Sequence, residues 1–260
     1  MIKGFTLSLA VAMMACAQPG LAPPQIGFIQ DSSNALRPVI GIAGNFLLGD
    51  PMQTGLTSAA FSGSSGMVKT DSALLAIDRQ GQVIASTGAP AGSALFAFSR
   101  SGAPAFVYLI DANAWMVWDG QQFQPAAFDL SAFDSLVVIS IASPNDGEAQ
   151  IVLQRDDGLW DIRLQLADGA VTSQSAITGV TAPMLALASG DLVYRDTDGV
   201  VVRKPDGSEL HILAQLPPNI AFQQMGDGWI QIRDLDTSNQ FAVRITAGRE
   251  QFYQLPGVDQ

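Results

Sequence analysis

The sequence predicts an all-β fold, a β-propeller of four-stranded antiparallel blades. Three observations predict it. Short runs of β-favouring residues recur between turn signals, and no window holds a 3.6-residue apolar stripe of helical length. The chain repeats itself five times at roughly blade-sized intervals. Several runs are apolar on both sides, so their strands need cover on both faces; radially packed blades supply that cover, whereas a sandwich usually leaves one face of each sheet wet.

Taken in order, residues 1–17 ("MIKGFTLSLAVAMMACA") read as an export signal: one basic residue, Lys3, precedes an apolar run from Phe5 to Ala15. That run is too short for the ~20 residues of a membrane-spanning helix, so no transmembrane span is expected in the mature chain. Two readings of its end stay open. Ala15-Cys16-Ala17 fits a small-x-small peptidase site that leaves Gln18 as the first residue. Alternatively "MMAC" resembles the bacterial lipobox, which would make Cys16 a lipid-attachment site, with Met13 where Leu is preferred. Cys16 is the only cysteine, so the folded part holds no internal disulfide and no thiolate metal cluster. Residues 18–25, rich in Pro and small side chains, read as a linker, and 26–260 as a single propeller domain.

The repeat is laid out by segments opening at Leu56, Leu95, Val137, Met184 and Ile220, in steps of 39, 42, 47 and 36 residues, near the ~40–45 of a four-stranded blade. Each opening hairpin is followed by a second one, as in "DLVYRDTDGVVVRKPDGSELHIL" (191–213), which makes four strands per unit. Seven Asp-Gly pairs, with the Asp at 119, 146, 157, 168, 198, 206 and 227, mark reversals between these runs. In "AWMVW", Trp115 and Val117 face one way while Met116 and Trp118 face the other. The N-terminal segment "QIGFIQDSSNALRPVIGI" (25–42) reads as one further hairpin, and 43–55 as its connection to the first full unit. Six blades are slightly favoured over five, the sixth made by combining the two chain ends; the other arrangement closes five blades and packs the N-terminal hairpin outside.

The openings "FSGSSG", "FSRSG" and "ASPNDG" resemble the Phe-Ser-Pro-Asp-Gly signature of WD40-like repeats in exported bacterial propellers, over residues 55–256. Trp118-Asp119 and Trp160-Asp161 are similar to the WD dipeptide. The chain departs from that pattern at two points: only "SPNDG" (143–147) keeps the Pro, with one residue extra, and a single His stands where WD40 blades each carry a Gly-His pair. The resemblance implies a propeller with degenerate repeats.

Composition limits the function classes. Hydrophobic residues make up 48% and charged residues 14%, which argues for a folded chain, and the formal charge of -11 repels nucleic acid and anionic membranes. No HExxH, phosphate-loop or dinucleotide pattern occurs, and no cofactor is expected. His211 sits in "ELHIL" on an expected outer strand, where a packed or half-exposed role outweighs catalysis. Asp196-x-Asp198-Gly199 and Asp234-x-Asp236 read as turns: an EF-hand begun at Asp196 would need a ligand at Val200 and a Glu at Gly207. Asp146 with Glu148, and Asp156 with Asp157, fit solvated turn tips. Trp115, Trp118, Trp160 and Trp229 are expected to be buried in strands, and Arg195, Arg203 and Arg233 to form structural ion pairs with nearby Asp residues.

No catalytic, cofactor or metal site is therefore assigned. The leading reading is a non-catalytic binding or scaffold module of the cell envelope or extracellular space, with a protein partner. An exported hydrolase or metal-dependent lactonase-like enzyme is the alternative, its amides drawn from Asn45, Asn145, Asn219 and Asn239. Glycan binding through exposed Trp faces is a third.

Overall fold

A computed structural model describes residues 23–63, 65–126 and 137–257. Residues 1–17, read above as an export signal, and the lipid-attachment candidate Cys16 lie outside them. Among the described residues the structure is built from strands, without a helix.

Five meanders of four strands follow one another along the chain. The first comprises β4 (Leu56–Ser62), β5 (Ser65–Thr70), β6 (Ala73–Asp78) and β7 (Val83–Gly88). The second holds β8 (Ala94–Phe98), β9 (Pro104–Leu109), β10 (Ala114–Trp118) and β11 (Phe123–Pro125). Next come β12 (Val137–Ala142), β13 (Glu148–Arg155), β14 (Gly158–Gln165) and β15 (Val171–Ile177), then β16 (Met184–Ala186), β17 (Leu192–Arg195), β18 (Gly199–Arg203) and β19 (Glu209–Leu213). The last contains β20 (Ile220–Gly226), β21 (Trp229–Asp234), β22 (Gln240–Arg244) and β23 (Gln251–Gln254). Ahead of them, β1 (Gln25–Gln30), β2 (Leu36–Ile42) and β3 (Asn45–Leu48) form a three-stranded sheet.

Each meander starts within one residue of the start of a sequence repeat, and all seven Asp-Gly pairs lie at reversals between consecutive strands, with Gly158 and Gly199 as the first residues of β14 and β18. Gly199 shows why glycine is needed in such a turn: its φ is +152°, and an added Cβ would lie 2.2 Å from the carbonyl oxygen of Ile212 on the neighbouring strand.

The apolar side chains fill the spaces between successive sheets. Along β9, Phe106 and Tyr108 enter the cluster shared with β12–β14, while Val107 and Leu109 enter the cluster shared with β4–β6. On β10, Trp115 and Val117 join the first of these clusters and Met116 and Trp118 the second, as the alternation of "AWMVW" predicts. Burying a side chain such as Phe106, which is wholly covered, is worth roughly 1.5–3 kcal/mol, and each sheet collects such gains on both faces. Further clusters join β12–β15 to β16–β18 and β16–β19 to β20–β22. The three-stranded sheet sits at the seam. Phe28 and Leu36 pack on β4–β6, whereas Ile29, Val39 and Phe46 pack on β20–β22.

The seam differs from the sequence reading. Six four-stranded blades are not formed: counted by hydrogen bonding among the described residues, three sheets have four strands, one has eight, and one has three. The eight-stranded sheet arises because β20 and β4 join in parallel at Met225 and Phe61. The C-terminal strand β23 pairs with β22 of its own meander, and among the described residues no strand completes β1–β3. Residues 43–55 are also more than a connection, since they supply β3 and an antiparallel bridge from Gln53 to Leu36.

Two glycines allow the close approach at the seam. A Cβ on Gly27 would lie 1.8 Å from the Met225 carbonyl oxygen, and one on Gly226 would lie 2.4 Å from that of Ile26. Beyond this contact, Asp31 ties the loop after β1. Its Oδ1 accepts hydrogen bonds from the Ser33 and Ala35 backbone N–H groups, and Oδ2 takes the Arg37 Nε at 2.6 Å.

Candidate functional site

The innermost strands β4, β8, β12, β16 and β20 leave a central channel whose cavity, about 290 Å³, is lined mainly by their first halves. Local irregularities shape its wall. Strand β4 has a bulge between Leu56 and Ser58, and β12 has one between Val138 and Ser140. Each bulge aims a serine hydroxyl at the next innermost strand: Ser58 Oγ accepts the Ala94 N–H at 3.0 Å, and Ser140 Oγ accepts the Ala186 N–H at 2.9 Å. Thr57 Oγ1 adds a hydrogen bond to the Gly92 carbonyl at 2.9 Å. These side chains fix the spacing of the inner strands and hence the width of the channel.

The lining combines two kinds of surface. One is apolar and half-buried, from Phe96 on β8, Ile139 on β12, Leu185 on β16 and Phe222 on β20. The other, beside the seam, is polar: Gln30 at the end of β1, Gln223 on β20 and Arg233 on β21 all contribute to the lining. Arg233 lies opposite Ala221, and Gln223 opposite Gln231, so these four side chains share one face of the sheet.

Among the described residues, three buried atoms of the polar lining have no hydrogen-bond partner: Arg233 Nε, Gln223 Nε2 and Gln30 Oε1. Among the described residues Arg233 also has no acidic side chain within ion-pairing distance, and burial pulls its guanidinium below the usual arginine range. The guanidinium stays charged, because an arginine starts from a pKa so far above neutrality. The channel therefore holds a cation with two amide groups, one offering N–H and one offering oxygen. Gln30 itself is firmly placed, its Nε2 donating to the Leu56 carbonyl at 3.1 Å.

At the opposite end, where the inner strands finish, a second cavity of about 550 Å³ opens beside Ser62, Arg100, Gly226 and Asp227. A third cavity shares Arg100 and Gly226 with it and Gln224 with the central channel.

The histidine, carboxylates and asparagines singled out from the sequence lie elsewhere. His211 is exposed on β19, with Nδ1 3.3 Å from Asp196 Oδ2 and Nε2 3.5 Å from Glu209 Oε2. Asp196 Oδ1 accepts the N–H groups of Asp198 and Gly199, and Asp234 Oδ1 accepts that of Asp236, so both carboxylate pairs belong to turns. Asp157 Oδ1 takes the Trp160 indole N–H at 2.8 Å, and Glu148 pairs with Arg163 at 3.1 Å; Asp146 and Asp156 are exposed. The four asparagines do not converge. Asn145 bonds Glu148, Asn219 bonds Asp236, and Asn45 and Asn239 line a groove between β3 and β23. Among the described residues no group of three or more His, Cys, Asp or Glu side chains is placed to hold a metal.

Two expectations about side chains are corrected. Of the tryptophans only Trp229 is buried, against Phe46 at 5.6 Å. Trp115, Trp118 and Trp160 are half-buried, because each lies on the third strand of its meander, where cover from the next sheet thins. Nor do these arginines pair with an Asp among the described residues. Arg195 donates to the carbonyls of Pro217 and Pro218, and Arg203 pairs with Glu209 at 2.8 Å and also donates to the Tyr194 hydroxyl. Burial, together with the hydrogen bond to Glu209, pushes the Tyr194 hydroxyl up to about 12. Among the described residues Arg195 and Arg233 both lack an acidic partner, but only Arg233 also leaves a buried Nε without a hydrogen bond, and the sequence reading missed its role along with Gln30 and Gln223. The available signal was an arginine in "WIQIRD", a strand otherwise buried on both faces.

No protein-family model and no curated protein matches the chain. Solved structures do. One from a nidogen/laminin complex has a TM-score of 0.52 at 12% identity, over 89% of this chain and 93% of that one. TolB from Acinetobacter baumannii has a TM-score of 0.53 at 13% identity, over 88% of this chain but 62% of its own length. At such identities the likeness is one of fold, and the fold of this chain is a β-propeller of four-stranded antiparallel blades.

Proposed function

We propose that this chain is a non-catalytic binding or scaffold propeller of the cell envelope or extracellular space, exported by its N-terminal signal, and that it docks a protein partner over the channel mouth near Thr57 and Ser93. The observation that carries this reading is the set of buried polar atoms without partners in the channel wall. Each such atom costs about 1–3 kcal/mol when left unmatched, and binding of a partner recovers that cost where the atoms line a cavity, as these do. The lining groups offer hydrogen bonds and one fixed charge, which suits recognition. The sequence adds the export reading of residues 1–17, with Cys16 as an alternative lipid anchor. A propeller of similar fold and nearly equal length was solved in a nidogen/laminin complex, which supports protein docking as a use of the architecture.

Site-specific photo-crosslinking tests the proposal in envelope preparations. A crosslinker at Ser93, on the channel mouth, should capture a defined protein that one at Val171, on the exposed edge strand β15, does not. Equal capture at the two positions, or none at either, overturns the reading.

A further inference from the structure

We infer that the central channel binds an organic carboxylate that carries a hydrogen-bond donor beside the acid group and an apolar remainder. This inference rests on the docking reading only for the source of the acid, not for the site itself.

The chemistry follows from the unmatched atoms. Arg233 brings a planar, permanently charged fork, and Gln223 Nε2 brings neutral N–H groups from an amide that is only 9% exposed. Together they form a set of donors suited to the two oxygens of a carboxylate. Gln30 is 1% exposed, and its free Oε1 is an acceptor, so it requires an N–H or O–H from the ligand. A carboxylate flanked by such a donor satisfies all three. A bare alkanoic acid leaves Gln30 unmatched.

The apolar part of the lining sets the rest of the ligand. Phe96, Ile139, Leu185 and Phe222 add half-buried apolar surface to the same cavity, so the remainder of the ligand is apolar. The cavity of about 290 Å³ stands at the small end of the ~300–1,000 Å³ typical of ligand sites, which limits the inserted part to one small acid or one terminal residue. Overall charge narrows the choice again. A chain of net charge -11 disfavours a multiply charged anion such as phosphate more than a monoanion. Arg233 can favour an anion locally because among the described residues no carboxylate neutralises it.

Two sources present this chemistry: a free amino or hydroxy acid, and the C-terminal residue of a polypeptide, whose last amide N–H stands beside the carboxylate. Calorimetric titration of the full chain with leucine, N-acetyl-leucine, N-acetyl-leucinamide and inorganic phosphate separates them. At least one of the two carboxylates should bind, while the amide and phosphate bind at least ~10-fold more weakly. Preference for N-acetyl-leucine identifies a polypeptide C-terminus, and preference for leucine a free acid. Arg233→Met should weaken binding ~10-fold or more without lowering the melting temperature, since it removes a half-buried cation that has no acidic partner among the described residues. Gln223→Leu should weaken it severalfold, and it serves as the second variant should Arg233→Met fail to fold.

Binding of the amide or of phosphate as tight as that of the acid overturns the inference, as does unchanged binding in the folded variants or absence of heat with both carboxylates. Carboxylate binding without specific crosslinking at Ser93 sinks the docking reading and leaves this site standing. Specific crosslinking without carboxylate binding does the reverse.

Discussion

Gln231 donates from Nε2 to the backbone carbonyl oxygen of Gln30 at 3.0 Å, joining residues 201 positions apart, and the same nitrogen reaches Gln240 Oε1 at 2.8 Å. This buried bridge ties the N-terminal sheet to the last meander beside the channel. It makes the seam a specific joint, where a sequence-distant pair fixes how the two ends of the chain meet.

Gly27 is the tightest point of that joint. Gly27→Ala sets a Cβ 1.8 Å from the Met225 carbonyl oxygen, which only a backbone shift can relieve. The expected loss is about 1–3 kcal/mol, read by chemical denaturation. Gly88→Ala is the control: it meets no atom within 4 Å and should stay within about 0.5 kcal/mol of wild type.

The inner ring is held in part by side chains, so Ser140→Ala should cost more than an ordinary surface change. It leaves the Ala186 N–H without its 2.9 Å partner inside the protein, a loss of about 1–3 kcal/mol. Carboxylate binding should weaken as well, because the Ala186 strand is no longer pinned to its neighbour. Loss of stability with hydrogen exchange at Ala186 unchanged would show that the hydroxyl does not hold this amide.

Acid should open the seam. Burial raises the Asp31 carboxyl, but hydrogen bonds from Ser33 and Ala35 and the pairing with Arg37 outweigh it, so the group sits below its ordinary value of 3.8. A depressed folded-state pKa gives stability that is complete above the unfolded-state value and is lost as pH falls through the folded one. Denaturation midpoints measured from neutral pH down to the acid limb should therefore drop below the ordinary carboxylate range. Asp31→Asn should lose about 1–3 kcal/mol at neutral pH and flatten that drop, and an acid limb identical to wild type would rule out this assignment.

Much of the architecture was legible because its causes are local. A reversal marked by Asp-Gly needs only the glycine's freedom and the neighbouring backbone, and all seven such pairs close hairpins. The double-sided apolar character of "AWMVW" demanded a sheet covered on both faces, and Trp115 and Met116 do pack on opposite neighbours. The seam was not legible: whether β23 serves its own meander or an N-terminal sheet depends on partner choice between equally plausible edges. Pairing of β4 with β20 at Met225 and Phe61 likewise has no local signature.

The same division holds for the candidate site. The sequence by itself determined a strand rich enough in apolar residues that Arg233 had to share a sheet with buried neighbours, and it gave a net acidic chain. Only the tertiary structure decided that Arg203 meets Glu209 while Arg233 meets no carboxylate among the described residues, and that Gln30 and Gln223, 193 positions apart, line one cavity. Periodicity and turn chemistry act over a few bonds and survive in one dimension. A charge finds or misses its partner only when sheets distant in sequence are packed against one another.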